Sequence, residues 1–395
     1  MSRMKVLFVE PVGGHRGMHY YDFGLCTALS DLDVHPTLVT SDETADHSPP
    51  GLLDCRFLFR EIFGDRNVAR RAANYLYALF KTARMAREGG FGIVHCHYFL
   101  IPPADYLFLL GLKSMGLKIV ITAHDVMPFD ARWYTHFALR HIYGLADKII
   151  VHAEDNKRRM CDQFAVHPPK VDVIHHGNYV PYVDEDRGPR EGLRQGIGIK
   201  DFANVVLFFG QIKKVKGLDH LIRAMPAVVR RHPNTVLLVA GQAWKDDFSF
   251  YARLVSSLGL EGNFVSRIEH IPDEDVEAYF KSADVVALPY VEVYQSGVLL
   301  MACSYGRPVV ATAVGGMKEV IQDGVSGYLV PPGDEERLAE AISKLLSDKE
   351  KAQEMGRRAR EMMQEQYTWE SAAYSTKQTY SEALEESARP ALMET

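Results

Sequence analysis

The sequence predicts an α/β protein made of two doubly wound domains. Three observations carry this. The chain has 395 residues, and one hydrophobic core stops growing beyond about 250–300 residues, so two domains of about 200 residues each are expected. Apolar runs of strand length alternate with helix-length amphipathic patterns, which is how parallel sheets covered on both faces read. One segment rich in Pro, Gly and charge, 181–198 (PYVDEDRGPREGLRQGIG), breaks the rhythm and reads as an interdomain linker entering a short helix.

The strands follow from uninterrupted apolar character. They are predicted at Lys5–Val9, Ile93–Cys96, Lys118–Thr122 and Lys148–Val151 in the first half, and at Val205–Phe209, Val236–Ala240, Asp284–Leu288 and Pro308–Ala311 in the second. After Gly217, the spacing of Leu221, Met225, Val228 and Val229 predicts a helix. After Asp334, which reads as an N-cap, Leu338, Ile342, Leu345 and Leu346 predict another. This organises the chain as a first domain over 1–180, the linker 181–198 and a second domain over 199–366. Doubly wound sheets place ligands beyond the carboxyl ends of their strands, and two such domains are expected to face a central cleft.

Composition narrows the function classes. Hydrophobic residues make up 47% and charged residues 24%, which excludes a disordered or fibrous chain. The net charge is −6, and all of it lies beyond Arg190, because 22 basic and 22 acidic residues balance up to that point. That balance points away from a nucleic-acid binder. The opening MSRMKVLFVEPVGG reads as a strand entering a glycine turn rather than as a signal region. The most apolar stretch, Tyr98–Leu112, contains Pro102, Pro103 and Asp105 and is shorter than the ~18 apolar residues that span a bilayer. The five cysteines are scattered and never spaced CxxC, so a disulfide frame or zinc site is not expected and a reducing cytoplasm is.

Four short motifs carry candidate chemistry. Pro11-Val12-Gly13-Gly14 ends the first strand, where small residues let backbone N–H groups approach a ligand; it fits a ligand-free strand-to-helix turn equally well. Gly210-Gln211-Ile212-Lys213-Lys214-Val215-Lys216-Gly217 offers ammonium groups to a diphosphate, but taken alone reads first as a solvated basic loop. Gln295-Ser296-Gly297-Val298 opens a helix and is either an anion site made of backbone amides or an ordinary capped start. His124, in Thr122-Ala123-His124-Asp125, stands just past a strand and is either a ligand contact or a structural histidine, with Asp125 placed to orient it or to cap the next segment.

Together these pieces resemble the retaining glycosyltransferases of family 4, which have the GT-B fold of two Rossmann-like domains facing a cleft. GQIKKVKGLDHLIRA, AYFKSADVVALPY and SYGRPVVATAVGGMKEVIQDGVSGYLVPPGDEERLAEAISKLL carry the resemblance in the second half; GGHRGMHYYDFGLCTAL, IVHCHY and ITAHDVMP carry it more loosely in the first. The resemblance implies transfer of a sugar from a nucleoside-diphosphate sugar to a glycan or lipid-linked acceptor, with retention of configuration. The donor would lie mostly on the second domain and the acceptor on the first. Lys216 then matches the diphosphate lysine, and Lys213 a basic position found in some members. Ser296, Gly297 and Val298 match the loop whose amides cradle the distal phosphate, His124 a histidine contacting the transferred sugar, and Gly13 and Gly14 the glycine turn near donor phosphate and acceptor. Residues 367–395 resemble the terminal helix that crosses back to the first domain, anchored by Trp369, followed by a frayed tail from Ala388.

Two departures stand out. Gln211 replaces the family's usual arginine. The family's glutamate pair is incomplete: Glu292 can be its first member, but Leu300 then occupies the second position, and an alignment anchored on Gly306-Arg307-Pro308 places Val293 and Met301 there instead. The chemistry implied is stabilisation of a departing diphosphate by fixed positive charges and amides, which needs neither a metal ion nor a cofactor. The Asp-x-Asp runs Asp31-Leu32-Asp33 and Asp184-Glu185-Asp186 read as loop charges.

The segment 56–87 holds eight basic residues against Glu61 and Asp65, with Phe57, Phe59, Phe63, Tyr75, Tyr77 and Phe80 among them. It is either a basic-aromatic surface for an anionic bilayer, making the protein peripheral on the inner face of the membrane, or an amphipathic helix with solvated arginines and core aromatics. Two other functions share the fold: a non-catalytic sugar-nucleotide-binding or scaffold subunit, which the incomplete glutamate pair favours, and a nucleotide-sugar epimerase, which would need cleft carboxylates.

Overall fold

A computed structural model of the chain describes residues 4–47, 53–64, 67–129, 131, 133–183, 188, 190–244 and 247–385. Asp65, Arg66, the 184–186 acidic run and the tail from Ala388 lie outside these residues. The chain divides into two compact units, residues 1–177 with 367–395, and residues 178–366.

The first unit contains, in order, β1 (Met4–Glu10), α1 (His19–Ser30), β2 (Val34–Ser41), β3 (Asp54–Phe59), α2 (Val68–Glu88), β4 (Ile93–Cys96), α3 (Pro102–Ser114), β5 (Lys118–Thr122), α4 (Thr135–Leu145), β6 (Lys148–Val151), α5 (Glu154–Phe164) and β7 (Val171–Val173). All strands are parallel, in the order β3-β2-β1-β4-β5-β6-β7. The topological switch point therefore lies between β1 and β4, where Val6 pairs with Ile93 and Val9 with Cys96.

The second unit contains α6 (Arg190–Gly196), β8 (Asn204–Phe209), α7 (Leu218–Arg231), β9 (Thr235–Ala240), α8 (Ser249–Ser257), β10 (Phe264–Arg267), α9 (Asp273–Ser282), β11 (Val285–Leu288), α10 (Gly297–Ser304), β12 (Val309–Thr312), α11 (Met317–Val320), β13 (Tyr328–Val330), α12 (Glu335–Ser347) and α13 (Lys349–Gln366). Its sheet is again all parallel, in the order β10-β9-β8-β11-β12-β13. α6 lies inside the segment that reads as a linker and packs on α9. The last helix, α14 (Trp369–Glu385), belongs to the first unit.

Each sheet is buried on both faces. In β1, Val6 and Phe8 enter a core with Leu25 and Leu29 of α1 and Trp369 and Tyr380 of α14, while the alternating Leu7 and Val9 are buried on the other face. In the second unit, Val206 and Phe208 of β8 pack with Leu221, Met225 and Val228 of α7 and Leu338, Ile342 and Leu345 of α12. The Asp334 side chain accepts the Arg337 N–H at 2.9 Å, so the predicted N-cap is in place.

Trp369 is the anchor of α14. A Cβ on Gly24 would lie 2.3 Å from its ring, and one on Gly177 would lie 2.2 Å from it. Two glycines thus form the slot that the indole fills, edge-on to Tyr21 at 5.5 Å between centroids. Trp369→Ala should destabilise the first unit by about 3–5 kcal/mol, and Gly24→Ala by about 1–3 kcal/mol through overpacking. Urea unfolding followed by circular dichroism checks both.

Candidate functional site

The second unit brings several of the predicted residues together beyond the carboxyl ends of β8 and β11. Gly217, at φ 63°, ends the 3-10 turn of Lys214–Lys216 and begins α7. A Cβ there would sit 2.1 Å from the Pro289 carbonyl, so only glycine lets this turn pass so close to the end of β11. The result carries Lys216 Nζ to 5.3 Å from the Tyr290 ring centroid. A Cβ built on Gly210 would meet Lys216 Nζ and Val298 Cγ2, each at 3.2 Å. The ammonium and the first turn of α10 therefore converge over the Gly210 backbone.

Ser296 caps α10, its Oγ accepting the Leu299 N–H at 3.2 Å. Gly297 and Val298 follow, and helix geometry gives their N–H groups no acceptor within the helix, at the end where the macrodipole is positive. Burial lowers the Lys216 ammonium to about 8. This is a desolvated cation beside a positive helix end, an arrangement that an anion stabilises.

The loop after β11 is pinned on both sides. The Val291 N–H donates to Val215 O at 2.8 Å and the Gly316 N–H to Tyr294 O at 3.1 Å. Glu292 is exposed on this loop, its N–H directed at Val215 O. Val293 and Leu300 are buried and Met301 is half-buried, so neither alignment of the glutamate pair puts a carboxylate at its second position. Lys213 points elsewhere, its ammonium 5.4 Å from the Trp244 ring centroid.

Gly13, Gly14 and His124 lie in the first unit. Glu10, at the end of β1, is buried and accepts the N–H groups of Val12 (2.9 Å) and Gly13. A Cβ on Gly13 would lie 1.8 Å from Thr44 Oγ1, the same oxygen that accepts the Gly14 N–H at 3.0 Å. The glycine turn is thus held by a buried carboxyl on one side and a hydroxyl on the other.

Beyond β4, β5, β6 and β7 stand His97, His124, His152 and His176, all with ring centroids 4.7–5.5 Å from that of Tyr21. Their hydrogen bonds assign a tautomer. His152 Nδ1 faces the Ile174 carbonyl at 2.8 Å and must donate, so its Nε2 accepts from His124 Nδ1 at 3.0 Å. His124 Nε2 is then an acceptor, and it is buried with no hydrogen-bond partner among the described residues.

Burial dominates the electrostatics here. It lowers His97 and His176 to about 4, His152 to about 3, and His124 and His95 well below their usual range. It raises Glu10 to about 8, with Asp22 adding to the effect, and raises Asp22 strongly as well. At the His97–Asp22 contact of 3.4 Å, burial works against the charged form on both sides. Of this cluster, sequence reasoning singled out only His124. The readable signal was the recurrence of a histidine directly after successive strands, in HCH, TAH, VH and IHH.

Of the two doubly wound α/β units, the second thus holds a cation and a helix end poised for an anion at its switch point. The Glycosyltransferase Family 4 model matches residues 16–178 and the Glycosyl transferases group 1 model matches 189–362; the chain belongs to the group 1 glycosyltransferases. It is 28% identical over 334 residues to D-inositol 3-phosphate glycosyltransferase of Corynebacterium aurimucosum, covering 79% of this chain and 76% of that one. It is 31% identical over 240 residues to an uncharacterized glycosyltransferase of Methanocaldococcus jannaschii, a match spanning 60% of each chain. Among solved structures it is similar to sucrose-phosphate synthase of Thermosynechococcus elongatus (TM-score 0.78, 20% identity, 97% of this chain and 100% of that one). It is also similar to Anabaena HepE in complex with UDP-glucose (TM-score 0.77, 18% identity, 96% and 100%). These likenesses establish the GT-B fold.

The buried cluster sets a pH dependence of stability. The histidines titrate near 6.5 when unfolded, so from pH 6.5 towards 4 the unfolded chain binds more protons and stability falls with falling pH. Glu10 has the opposite sign: between about 4.5 and 8 the folded state holds its proton, so stability falls as pH rises. The urea midpoint of the first unit should peak between about pH 6 and 7, and Glu10→Gln should weaken the alkaline limb. Equilibrium unfolding from pH 4.5 to 8.5 checks this; a monotonic profile would contradict it.

Proposed function

We propose that this group 1 glycosyltransferase moves a sugar, with retention of configuration, from a nucleoside-diphosphate sugar to a glycan or lipid-linked acceptor. The observation that carries the reading is the convergence of Lys216 Nζ and the N-terminus of α10 over Gly210. The solved structures of HepE with UDP and with UDP-glucose support a nucleotide-sugar donor for a fold of this kind.

In this reading the acceptor oxygen bonds to the anomeric carbon as the diphosphate leaves from the same face, and the acceptor proton passes to the leaving phosphate. The transition state gathers negative charge on that diphosphate. Lys216 and the N–H groups of Gly297 and Val298 supply fixed positive potential there, which is the role a divalent cation fills elsewhere, so the reaction is proposed to be metal-independent. Ser296 holds the helix start in place. Lys213 shares the loop of Lys216 but directs its ammonium at Trp244 rather than at the diphosphate, and Glu292 stands exposed on the loop before α10. In the first unit, Gly14 and its turn border the acceptor side, and His124 Nε2 offers a sugar hydroxyl an acceptor that burial keeps neutral.

Lys216→Ala should lower turnover about 10²–10³-fold with the fold intact. In the wild type, kcat/KM should decline above about pH 8, where free Lys216 loses its proton. Release of nucleoside diphosphate from a panel of UDP-, GDP- and ADP-sugars measures both. Tight binding without turnover of any donor would favour a scaffold subunit instead.

A peripheral membrane role has its own observation. Tyr75 of α2 is buried, but Leu76, Tyr77 and Phe80 are exposed (Phe80 at 66%), alongside Lys81, Arg84 and Arg87 on the same solvent face. Leu107 and Leu110 of the adjacent α3 are exposed too. Among the described residues no helix is long and apolar enough to cross a membrane. A mixed apolar and cationic face suits the surface of an anionic bilayer. The protein should sediment with vesicles containing phosphatidylglycerol at moderate salt, and Tyr77→Ser/Phe80→Ser should release it. Absence of sedimentation would rule this role out.

A further inference from the structure

The histidines that follow β5 and β6 are not equivalent. His152 is 3% exposed, whereas His124 is half-buried, so His152 stands behind His124 rather than beside it. His152 Nδ1 lies 2.8 Å from the Ile174 carbonyl, and its Nε2 lies 3.0 Å from His124 Nδ1. The backbone at both ends of this chain is pinned. The Ile174 N–H donates to the Val151 carbonyl at 2.8 Å, and the Ala123 N–H, just before His124, donates to the Ile150 carbonyl at 2.9 Å.

The direction of the chain is set at the Ile174 carbonyl. A carbonyl only accepts, so the proton of His152 sits on Nδ1. Burial, with His176 close by, works against a second proton on that ring. His152 Nε2 is then a lone pair, and the contact with His124 needs a hydrogen on His124 Nδ1. The other tautomer of His124 would set two lone pairs against each other at 3.0 Å. The plane of the His124 ring is held as well. Tyr98 stacks on it at 5.4 Å between centroids and 11° between planes, and Tyr21 stands perpendicular to it at 4.7 Å. What remains is His124 Nε2, a buried lone pair with no hydrogen-bond partner among the described residues. Such a lone pair accepts a hydroxyl hydrogen and repels a group that can only accept. A buried acceptor left unsatisfied is unfavourable, so a ligand that supplies the hydrogen gains from it.

We propose that His152 is a positioning residue: anchored on the Ile174 carbonyl, it locks His124 in the Nδ1–H tautomer and makes this site select a hydroxyl of the transferred sugar that donates to His124 Nε2. The identity of the hydroxyl rests on the sugar-transfer reading; the tautomer lock does not.

Ring-nitrogen NMR of the full-length protein carrying isotope-labelled histidine tests the lock directly, with the His124 signals identified by their loss in His124→Asn. In the wild type at neutral pH, Nδ1 of His124 should be protonated and Nε2 not. His152→Phe keeps the ring shape but removes both hydrogen bonds, so both His124 tautomers should appear and kcat/KM should fall about tenfold. His152→Gln can donate to Ile174 through its amide nitrogen and accept from His124 through its oxygen, so it should restore the single tautomer and bring kcat/KM to within about threefold of the wild type. Should His152→Phe fail to fold, the wild-type and His152→Gln spectra decide the lock. In a series of donors with each sugar hydroxyl in turn replaced by fluorine, which cannot donate, one member should lose about tenfold in kcat/KM with the wild type and much less with His124→Ala. A protonated Nε2 on His124 in the wild type, an unchanged tautomer in a folded His152→Phe, His152→Gln no better than His152→Phe, or no fluorinated donor that distinguishes wild type from His124→Ala would each overturn the proposal. If no donor is turned over at all, the sugar-transfer reading fails and with it the selection of a sugar hydroxyl, while the spectra still decide the lock.

Discussion

A parallel strand buried on both faces can present functional groups only beyond its ends, and this constraint organises both units. Side chains along β1, β4, β8 or β11 are committed to packing, because helices cover each face of the sheet. Glu10 ends a strand and His97, His124 and His152 follow strands in the first unit, and Gly210, Lys216 and Tyr290 follow strands in the second. Function in this fold is placed at strand ends because nowhere else is free.

Desolvation then decides what those groups can do. In the first unit it acts against charge of either sign, so carboxyls hold protons and imidazoles lose them. The outcome is a neutral polar surface with a defined tautomer, suited to hydrogen-bonding hydroxyls rather than to holding ions. In the second unit, Lys216 keeps its charge at neutral pH despite burial, because an ammonium starts from a much higher value. The same physical term thus leaves polar groups disfavoured as ions on one unit and a desolvated cation on the other.

Much of the scaffold was legible because central parallel strands are uninterrupted apolar runs. All eight predicted strands occur, within a residue or so at their ends. The strands missed have a common cause. β2 carries His35 and Pro36, and β3, β7, β10 and β13 are edge strands that are short or carry charge, as in DCRFLF, VDV and FVSR. Half-exposed edges do not need apolar sequence. The loops around Lys216 and the start of α10 were legible from glycine placement: Gly210, Gly217 and Gly297 each mark a close approach that a Cβ would obstruct.

What the sequence alone determined is the pair of parallel sheets and the positions where each chain segment leaves a strand, because burial periodicity and glycine requirements are local properties written residue by residue. What only the tertiary structure decided is which strand ends meet. Nothing in HCHY, TAHD and VHAE says that three histidines share one tyrosine, or that His124 Nε2 has no hydrogen-bond partner among the described residues. Nothing in Arg190, Arg307 and Arg360, separated by more than a hundred residues at the widest, says that they border one cavity. Nor does the aromatic content of α2 say that Tyr75 faces the core and Tyr77 the solvent. Those outcomes depend on strand order and helix rotation, which are set by the packing of the whole sheet rather than by any one of its segments.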